Sequence, residues 1–292
     1  MENSTPKRRF PTIGDVVVMF VVFFVAQLLL GVVLGQLGLL RPELVEAASA
    51  DPELYMAEQE ALSRYMVLIY PLSMAVPLFF MWLYVRLRGG KGGLKIRHKA
   101  AGFNPIIILV GVIWLLSSQI VLEPLIRILP GASEASVGRG VWAWVTVAVL
   151  APIIEELLCR GVILETLRRR WSTILSIVVT ALFFGLIHGD ISTIIVATVA
   201  GIIFGVIYER TSSIFSTIII HAINNALAFT LICLGFGEIS LYEIVGDGWA
   251  YYLSYSVVAV IFVAISIEAY VNVFVKKKAE DEKTEEIEEK KE

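Results

Sequence analysis

The chain has 292 residues, of which 57% are hydrophobic and only 17% are charged, and its mean hydropathy is +0.78. A soluble globular chain contains roughly 45–50% apolar and about 25% charged residues, so the composition excludes an ordinary soluble domain and indicates a membrane protein. The net charge of -3 at pH 7 argues against a nucleic-acid partner. The two cysteines, Cys159 and Cys233, lie in apolar stretches and predict neither a disulfide framework nor a CxxC metal site.

Eight apolar segments follow one another along the chain, and each predicts a transmembrane helix. They cover about 13–40, 65–85, 105–129, 141–170, 172–188, 191–208, 213–234 and 249–275. The fifth and sixth are short for a span, which needs roughly 20 residues. The first is far longer than a signal-peptide core of roughly 7–15 residues, so we expect it to be retained. The predicted fold is all-α, a polytopic membrane protein of about eight transmembrane helices.

Basic and acidic residues alternate between the connections. If the chain crosses the membrane eight times, the basic parts fall on one side: the amino terminus, the 86–99 loop, 168–170, Arg210 and 276–278. The two acidic connections, 41–64 and 238–247, fall on the other side. Because basic loops stay in the cytoplasm, we predict an integral, multi-pass protein with both termini cytoplasmic. The basic clusters should attract anionic membrane lipid.

The chain divides into four predicted regions. They are a three-span region (1–140), a catalytic core of spans four to seven (141–234), the last loop and eighth span (235–275), and a charged cytoplasmic tail (276–292). The tail is a run of Lys and Glu that we expect to be disordered or a solvated helix. No internal repeat is evident, and no feature of the sequence fixes an oligomeric state.

A tandem of glutamates interrupts the fourth apolar segment. A charged side chain at mid-membrane costs at least about 2.5 kcal/mol, so such residues usually face a bundle interior or a cavity. Glu156 and Arg160 are four residues apart and share a helix face, which predicts a buried ion pair. Glu155 projects about 100° away from Glu156 and is the carboxylate left free. This segment alone is equally compatible with structural or water-exposed glutamates near a membrane edge.

Two further apolar segments carry polar groups. Phe184 and His188 are four residues apart, as are His221 and Asn225. At about 1.5 Å per residue, Glu155 and His188 both lie roughly 25 Å from the turn between their antiparallel helices. His221 reaches the same depth if that hairpin protrudes about 10 Å into the cytoplasm. We therefore predict a polar cavity inside the bilayer that opens toward the cytoplasm. The alternative is that each polar residue only makes hydrogen bonds between helices.

A carboxylate, two imidazoles and a carboxamide suit the hydrolysis of an amide. The carboxylate can take a proton from water, and His and Asn donors can stabilise an oxyanion. The same groups could instead hold zinc through His188, His221 and a Glu, with Glu156 as base, although the chain has no HExxH motif. A carrier of protons or small ions would also explain buried Glu and His.

Three motifs in order resemble a known family. The chain resembles the CAAX-protease and bacteriocin-processing family, also called the Abi family, in three motifs: EExxxR at 155–160, FxxxH at 184–188 and HxxxN at 221–225. The family includes the eukaryotic Ras-converting prenyl-protein endopeptidase. Each motif alone is weak, whereas the ordered triple in hydrophobic helices is specific. The resemblance covers about 141–225, and Cys159 stands where the family often has an aromatic residue.

The resemblance implies an intramembrane endopeptidase of the glutamate type that uses no metal or other cofactor. Glu155 and His188 would activate water, and His221 and Asn225 would hold the oxyanion. Three further residues would support them: Glu156, Arg160 and Phe184. The expected partner is a peptide or lipidated protein substrate, such as a prenylated CAAX-type peptide, a bacteriocin leader or a membrane-protein segment. A non-catalytic immunity or scaffold protein of the same fold is the competing interpretation.

Overall fold

The computed structural model describes residues 10–36, 52–89, 94–99, 104–129, 138–236, 240–246 and 248–275. The helices in these ranges are α1 (Ile13–Gln36), α2 (Pro52–Gly89), α3 (Pro105–Ile126), α4 (141–167), α5 (Thr173–Leu186), α6 (Ile191–Thr211), α7 (Ile214–Cys233), the short α8 (Leu241–Val245) and α9 (Trp249–Tyr270). A π-helical turn, Val271–Val275, extends α9. The described ranges contain no β-strand, only an isolated bridge between His98 and Ser213.

The all-α, polytopic membrane fold is confirmed. Six helices, α1, α2, α3, α6, α7 and α9, are long and apolar enough to cross a membrane. Helix α5 is apolar but has 14 residues, and α4 is a composite of α- and π-helical turns. Eight crossings therefore stay a prediction. The basic amino terminus, the end of the first apolar segment and the tail from Lys276 lie outside the described residues.

The predicted start of the second helix is wrong. Residues 52–64, taken as part of a polar connection, form the first turns of α2. This stretch is rich in Glu, Ala, Leu, Met and Gln, which are strong helix formers whatever their hydropathy. Pro52 stands at the first helical position, where its missing N–H costs nothing. Hydropathy marks the part of a helix that lies in lipid, and this helix extends beyond that part.

Helix α1 is tied to α2 by polar contacts. The carboxylate of Asp15 accepts hydrogen bonds from the Tyr84 hydroxyl at 2.7 Å and from Arg88 Nη2 at 3.0 Å. Gln27 Nε2 donates to the carbonyl of Ser73 at 3.1 Å. These contacts hold the two helices side by side. The boundaries of the four predicted regions stay a prediction.

Helices α5 and α6 approach each other closely. A Cβ placed on Gly201 would lie 2.9 Å from the Cα of Ala181, so only glycine fits at this contact. Small residues allow such close approach of helix backbones in membranes. The close packing brings Phe184 of α5 next to Phe204 of α6, with ring centroids 6.2 Å apart.

An ionic cluster joins the ends of α4 and α6 to the segment that precedes α3. Arg97 lies 2.7 Å from both Glu165 and Glu209, and Lys99 N donates to the carbonyl of Ser212 at 3.0 Å. Burial by itself would lower the pKa of Arg97, because it disfavours the charged form. The hydrogen bonds and negative charges of Glu209 and Glu165 outweigh this effect, so the pKa of Arg97 is raised above its ordinary value. This end of the bundle is therefore held by charge, whereas the helices themselves pack through apolar side chains.

Candidate functional site

The glutamate tandem lies on a short α-helical stretch between two π-helical turns. The turns are Thr146–Leu150 and Leu157–Leu164, and the stretch between them is Ala151–Glu156. Ala151 N donates to the carbonyl of Thr146, five residues earlier, as in a π-helix. The next residue, Pro152, has no N–H and cannot make the corresponding hydrogen bond to the carbonyl of Val147. The next carbonyl, that of Val147, accepts a hydrogen bond from Asn225 Nδ2 at 3.2 Å instead. Helix π-turns are frequent at functional sites, and here one connects α4 to the predicted site residue on α7.

Glu155 has two carboxylate oxygens in different environments. The residue is buried, with 5% of its surface exposed. Its Oε1 accepts a hydrogen bond from the hydroxyl of Tyr70 on α2. Its Oε2 is buried, finds no hydrogen-bond partner among the described residues, and lies 3.7 Å from His221 Nε2. One oxygen is thus anchored, and the other faces the imidazole.

Glu156 and Arg160 form the predicted buried ion pair, with 2.8 Å between Glu156 Oε1 and Arg160 Nη1 and no exposed surface on either side chain. Arg160 Nη2 also donates to the carbonyl of Gly201 at 2.8 Å. Its guanidinium lies 5.2 Å from the ring centroid of Phe184 and 5.1 Å from that of Phe204. Cation–π contact and hydrogen bonds together replace the water that a buried guanidinium has lost.

His221 lies between the two glutamates. Its Nδ1 is 3.2 Å from Glu156 Oε1, and its ring stacks on that of Phe204 with centroids 4.7 Å apart. Because a carboxylate only accepts, the hydrogen at Nδ1 is donated to Glu156. An imidazolium at this position would donate from both nitrogens, so Nε2 could then donate a hydrogen bond to Glu155 or to a negatively charged oxygen in the cavity.

His188 follows the end of α5, and its ring is oriented by the backbone. Nδ1 lies 2.7 Å from the carbonyl of Phe184. A carbonyl only accepts, so Nδ1 carries the hydrogen and Nε2 of the neutral ring is an acceptor. Two residues on, Asp190 caps α6 and accepts from Ser192 Oγ at 2.6 Å and from Thr193 N at 2.9 Å. The Ser192 hydrogen bond in particular lowers the pKa of Asp190 from 3.8 to about 2.

A cavity of about 250 Å³ brings three of the four predicted catalytic residues together. His188, His221 and Asn225 line it, and most of the rest of its wall is apolar. Glu155 is not among the described lining residues, and its link to the cavity is the 3.7 Å approach to His221. A larger cavity of about 420 Å³ between α3, α6 and α9 contains none of the predicted site residues.

Sequence reasoning missed four residues around the site: Tyr70, Gln119, Phe204 and Asn224. Gln119 Nε2 donates to Asn224 Oδ1 at 2.9 Å, and both side chains line the cavity beside Asn225. These two carboxamides were detectable, because polar residues inside apolar segments usually face a cavity or a neighbouring helix. Tyr70 and Phe204 gave no signal, since aromatic residues are ordinary components of apolar helices.

The zinc alternative would use His188, His221 and a glutamate as ligands. Among the described residues, no group of three or more His, Cys, Asp or Glu side chains is arranged to hold a metal ion. His188 and His221 each use Nδ1 for a hydrogen bond to a carbonyl or carboxylate, an arrangement that leaves Nε2 as the nitrogen available to a metal, whereas Glu156 is paired with Arg160. Independence from metal nevertheless stays a prediction.

One comparison with known proteins gives a match. Residues 137–227 match the family described as type II CAAX prenyl endopeptidase Rce1-like. The match spans less than a third of the chain and includes all three motifs. It confirms the resemblance seen in the sequence and supports a protease. Neither the curated proteins nor the solved structures contain a match to this chain.

Proposed function

We propose that the protein is an intramembrane endopeptidase that hydrolyses a peptide bond of a membrane-associated substrate, with a prenylated CAAX-type peptide as the first candidate. The observation that carries the proposal is the pair formed by Glu155 Oε2 and His221 Nε2, 3.7 Å apart, at a cavity that His188 and Asn225 also line. The family match of residues 137–227 supports the substrate class.

Glu155 and His188 are assigned to the activation of water. Glu155 Oε2 has no hydrogen-bond partner in the part of the chain that the structure describes, so it can receive a proton. His188 Nε2 is left as an acceptor because Nδ1 is bound to the Phe184 carbonyl. The water transfers one proton to Glu155, and its oxygen attacks the scissile carbonyl carbon. The C–N bond then breaks, and the proton held by Glu155 passes to the leaving amine.

His221 and Asn225 are assigned to the oxyanion. Asn225 Nδ2 uses one hydrogen for the carbonyl of Val147 and has a second hydrogen to donate. His221 is assigned to donate from Nε2, which requires a hydrogen on both ring nitrogens because Nδ1 faces the Glu156 carboxylate. Removing one oxyanion donor typically costs about 10²–10³ in kcat. Glu156, Arg160 and Phe184 hold these groups in place.

Cleavage by the purified protein tests the proposal. Wild type and Glu155→Gln are compared on fluorogenic peptides with and without a prenyl group, each with and without a zinc chelator. Glu155→Gln should lower kcat by about 10²–10⁴, the usual contribution of a general base. Glu60→Gln is the matched control, because Glu60 forms an exposed pair with Arg64, and it should cleave as wild type does.

The outcomes separate the alternatives. Cleavage that is lost in Glu155→Gln and resists the chelator supports the glutamate-type mechanism. Cleavage that the chelator removes and zinc restores would refute it. A folded wild-type protein that cleaves neither kind of peptide would favour the immunity or scaffold interpretation.

We also propose that both termini lie in the cytoplasm. The support is the basic character of the described Arg97, Arg168 and Arg210, which lie at the ends of helices or in connections. Epitope tags at the two termini should resist protease in sealed right-side-out vesicles and be removed in inside-out vesicles. The reverse pattern would invert the assigned orientation.

A further inference from the structure

Tyr70 contacts the proposed base from a part of the chain that the family match does not cover. It lies on α2, outside residues 137–227, and its hydroxyl donates to Glu155 Oε1. Its ring packs against the apolar core. A phenol hydroxyl on an ionised carboxylate makes a charge-assisted hydrogen bond, which is both stronger and more directional than a neutral one.

The position of Tyr70 is itself held by polar contacts. Pro71 follows it within α2, and Ser73 Oγ donates to the carbonyl of Tyr70 at 2.7 Å. The carbonyl of Ser73 accepts from Gln27 Nε2 of α1 at 3.1 Å. A chain of contacts therefore runs from α1 through α2 to the carboxylate on α4, and each step fixes the next.

The hydrogen bond makes the two oxygens of Glu155 unequal. Oε1 is occupied by Tyr70, and Oε2 is left without a hydrogen-bond partner, 3.7 Å from His221. Without Tyr70 the carboxylate could rotate about its last side-chain torsion, which is broad for Glu. A base that is free to rotate faces the water for only part of the time.

We propose that Tyr70 is a positioning residue, which holds Glu155 Oε1 so that Oε2 faces His221 and the attacking water. This inference rests on the proposed function, because it assigns Glu155 as the base. It also makes the three-span region part of the active site, since the catalytic carboxylate on α4 is oriented from α2.

The test compares Tyr70→Phe with Tyr84→Phe in the full-length protein. Both tyrosines lie on α2, and both donate to a carboxylate, that of Glu155 or that of Asp15. Each substitution removes one hydroxyl and keeps the ring. Tyr70→Phe should lower kcat about 10–100-fold and leave KM within about twofold, because Tyr70 is not assigned a contact with substrate. Tyr84→Phe should leave both constants unchanged.

A second measurement separates positioning from a structural effect. If Tyr70 acts through Glu155, Tyr70→Phe should have little further effect once Glu155 is replaced. In a Glu155→Gln background it should therefore change the residual rate less than about twofold. A purely structural effect would lower the rate equally in both backgrounds. Melting temperatures of the two Tyr→Phe variants should agree within a few degrees.

Three results would overturn the inference. They are wild-type kcat in Tyr70→Phe, an equal loss of kcat in Tyr84→Phe, and an undiminished effect of Tyr70→Phe in the Glu155→Gln background. The first, together with an inactive Glu155→Gln, would leave the proposed function intact. An active Glu155→Gln would refute Glu155 as the base, and with it this inference, while leaving the endopeptidase activity in place; absence of cleavage by folded wild type would instead count against the proposed function itself.

Discussion

Replacing Arg160 with leucine should destabilise the whole helix bundle. Arg160 has no exposed surface, and its guanidinium neutralises Glu156, donates to the carbonyl of Gly201 and lies between Phe184 and Phe204. Leucine fills part of the space and leaves Glu156 buried without its cation. Removing one partner of a buried ion pair costs about 3–5 kcal/mol.

The structure favours the lower end of that range. Glu156 keeps one polar neighbour, since His221 Nδ1 lies 3.2 Å from its Oε1. We therefore expect a loss of about 3 kcal/mol in the free energy of unfolding. A change of 1 kcal/mol shifts the melting temperature of a chain of 150–250 residues by roughly 2–4 °C, so the expected fall is about 6–12 °C.

A thiol-reactive fluorophore provides the assay in detergent. Cys159 is buried and Cys233 is exposed, so in a Cys233→Ser background the dye reacts with Cys159 only as the bundle opens. Arg64→Leu is the matched control, because Arg64 forms an i,i+4 pair with Glu60 at the same 2.8 Å but with both side chains exposed. The control should lose only about 0.3–0.5 kcal/mol. An Arg160→Leu melting temperature within about 2 °C of the control would refute the reasoning.

Three further predictions use the same melting assay. Gly201→Ala should lower the free energy of unfolding by about 1–3 kcal/mol, because the added Cβ would lie 2.9 Å from the backbone of α5. The control Gly31→Ala should not destabilise the protein, because the space around Gly31 is open. Asp190→Ala should cost about 1 kcal/mol at pH 7 by removing the α6 cap. Since the folded pKa of Asp190 is depressed to about 2, the charge-dependent part of that difference should hold down to about pH 4 and fade as the pH falls towards 2. Arg97→Met should cost about 1–3 kcal/mol, because it removes one cation from the nearly fully buried Glu209.

The sequence predicts the fold class and the motif residues for separate physical reasons. Long apolar runs fix the helices, because lipid leaves a chain few other ways to satisfy its backbone. Spacing of four residues predicts the contact between Glu156 and Arg160, and the structure confirms that pair at 2.8 Å. The start of α2 was missed because polar residues form the helix beyond the apolar run.

The contacts of Glu155 could not be predicted in this way. Tyr70 is 85 positions away in sequence and lies in an apolar run where an aromatic residue carries no signal. The π-helical turns of α4 have no simple sequence pattern, although Pro152 was a sign of irregularity. Depth along ideal helices predicted only that Glu155, His188 and His221 share one level, and the structure gives the contacts of Glu155 with Tyr70 and His221. Depth alone does not tell which of the side chains at one level touch.

The two adjacent glutamates differ in the charge of their nearest hydrogen-bond partners, and this difference supports the roles proposed for them. Glu156 faces the cation of Arg160, so protonating it would break a buried ion pair. Glu155 accepts from the neutral hydroxyl of Tyr70, and each of the two glutamates has one carboxylate oxygen that finds no hydrogen-bond partner among the described residues. A proton on Glu155 Oε2 leaves the Tyr70 hydrogen bond in place and affects the longer 3.7 Å contact with His221, whereas a proton on Glu156 Oε1 disrupts the 2.8 Å contact with Arg160. Under the proposed function we therefore expect Glu155, rather than Glu156, to take the proton of the attacking water, because removing the charge of Glu156 would leave Arg160 buried without its partner.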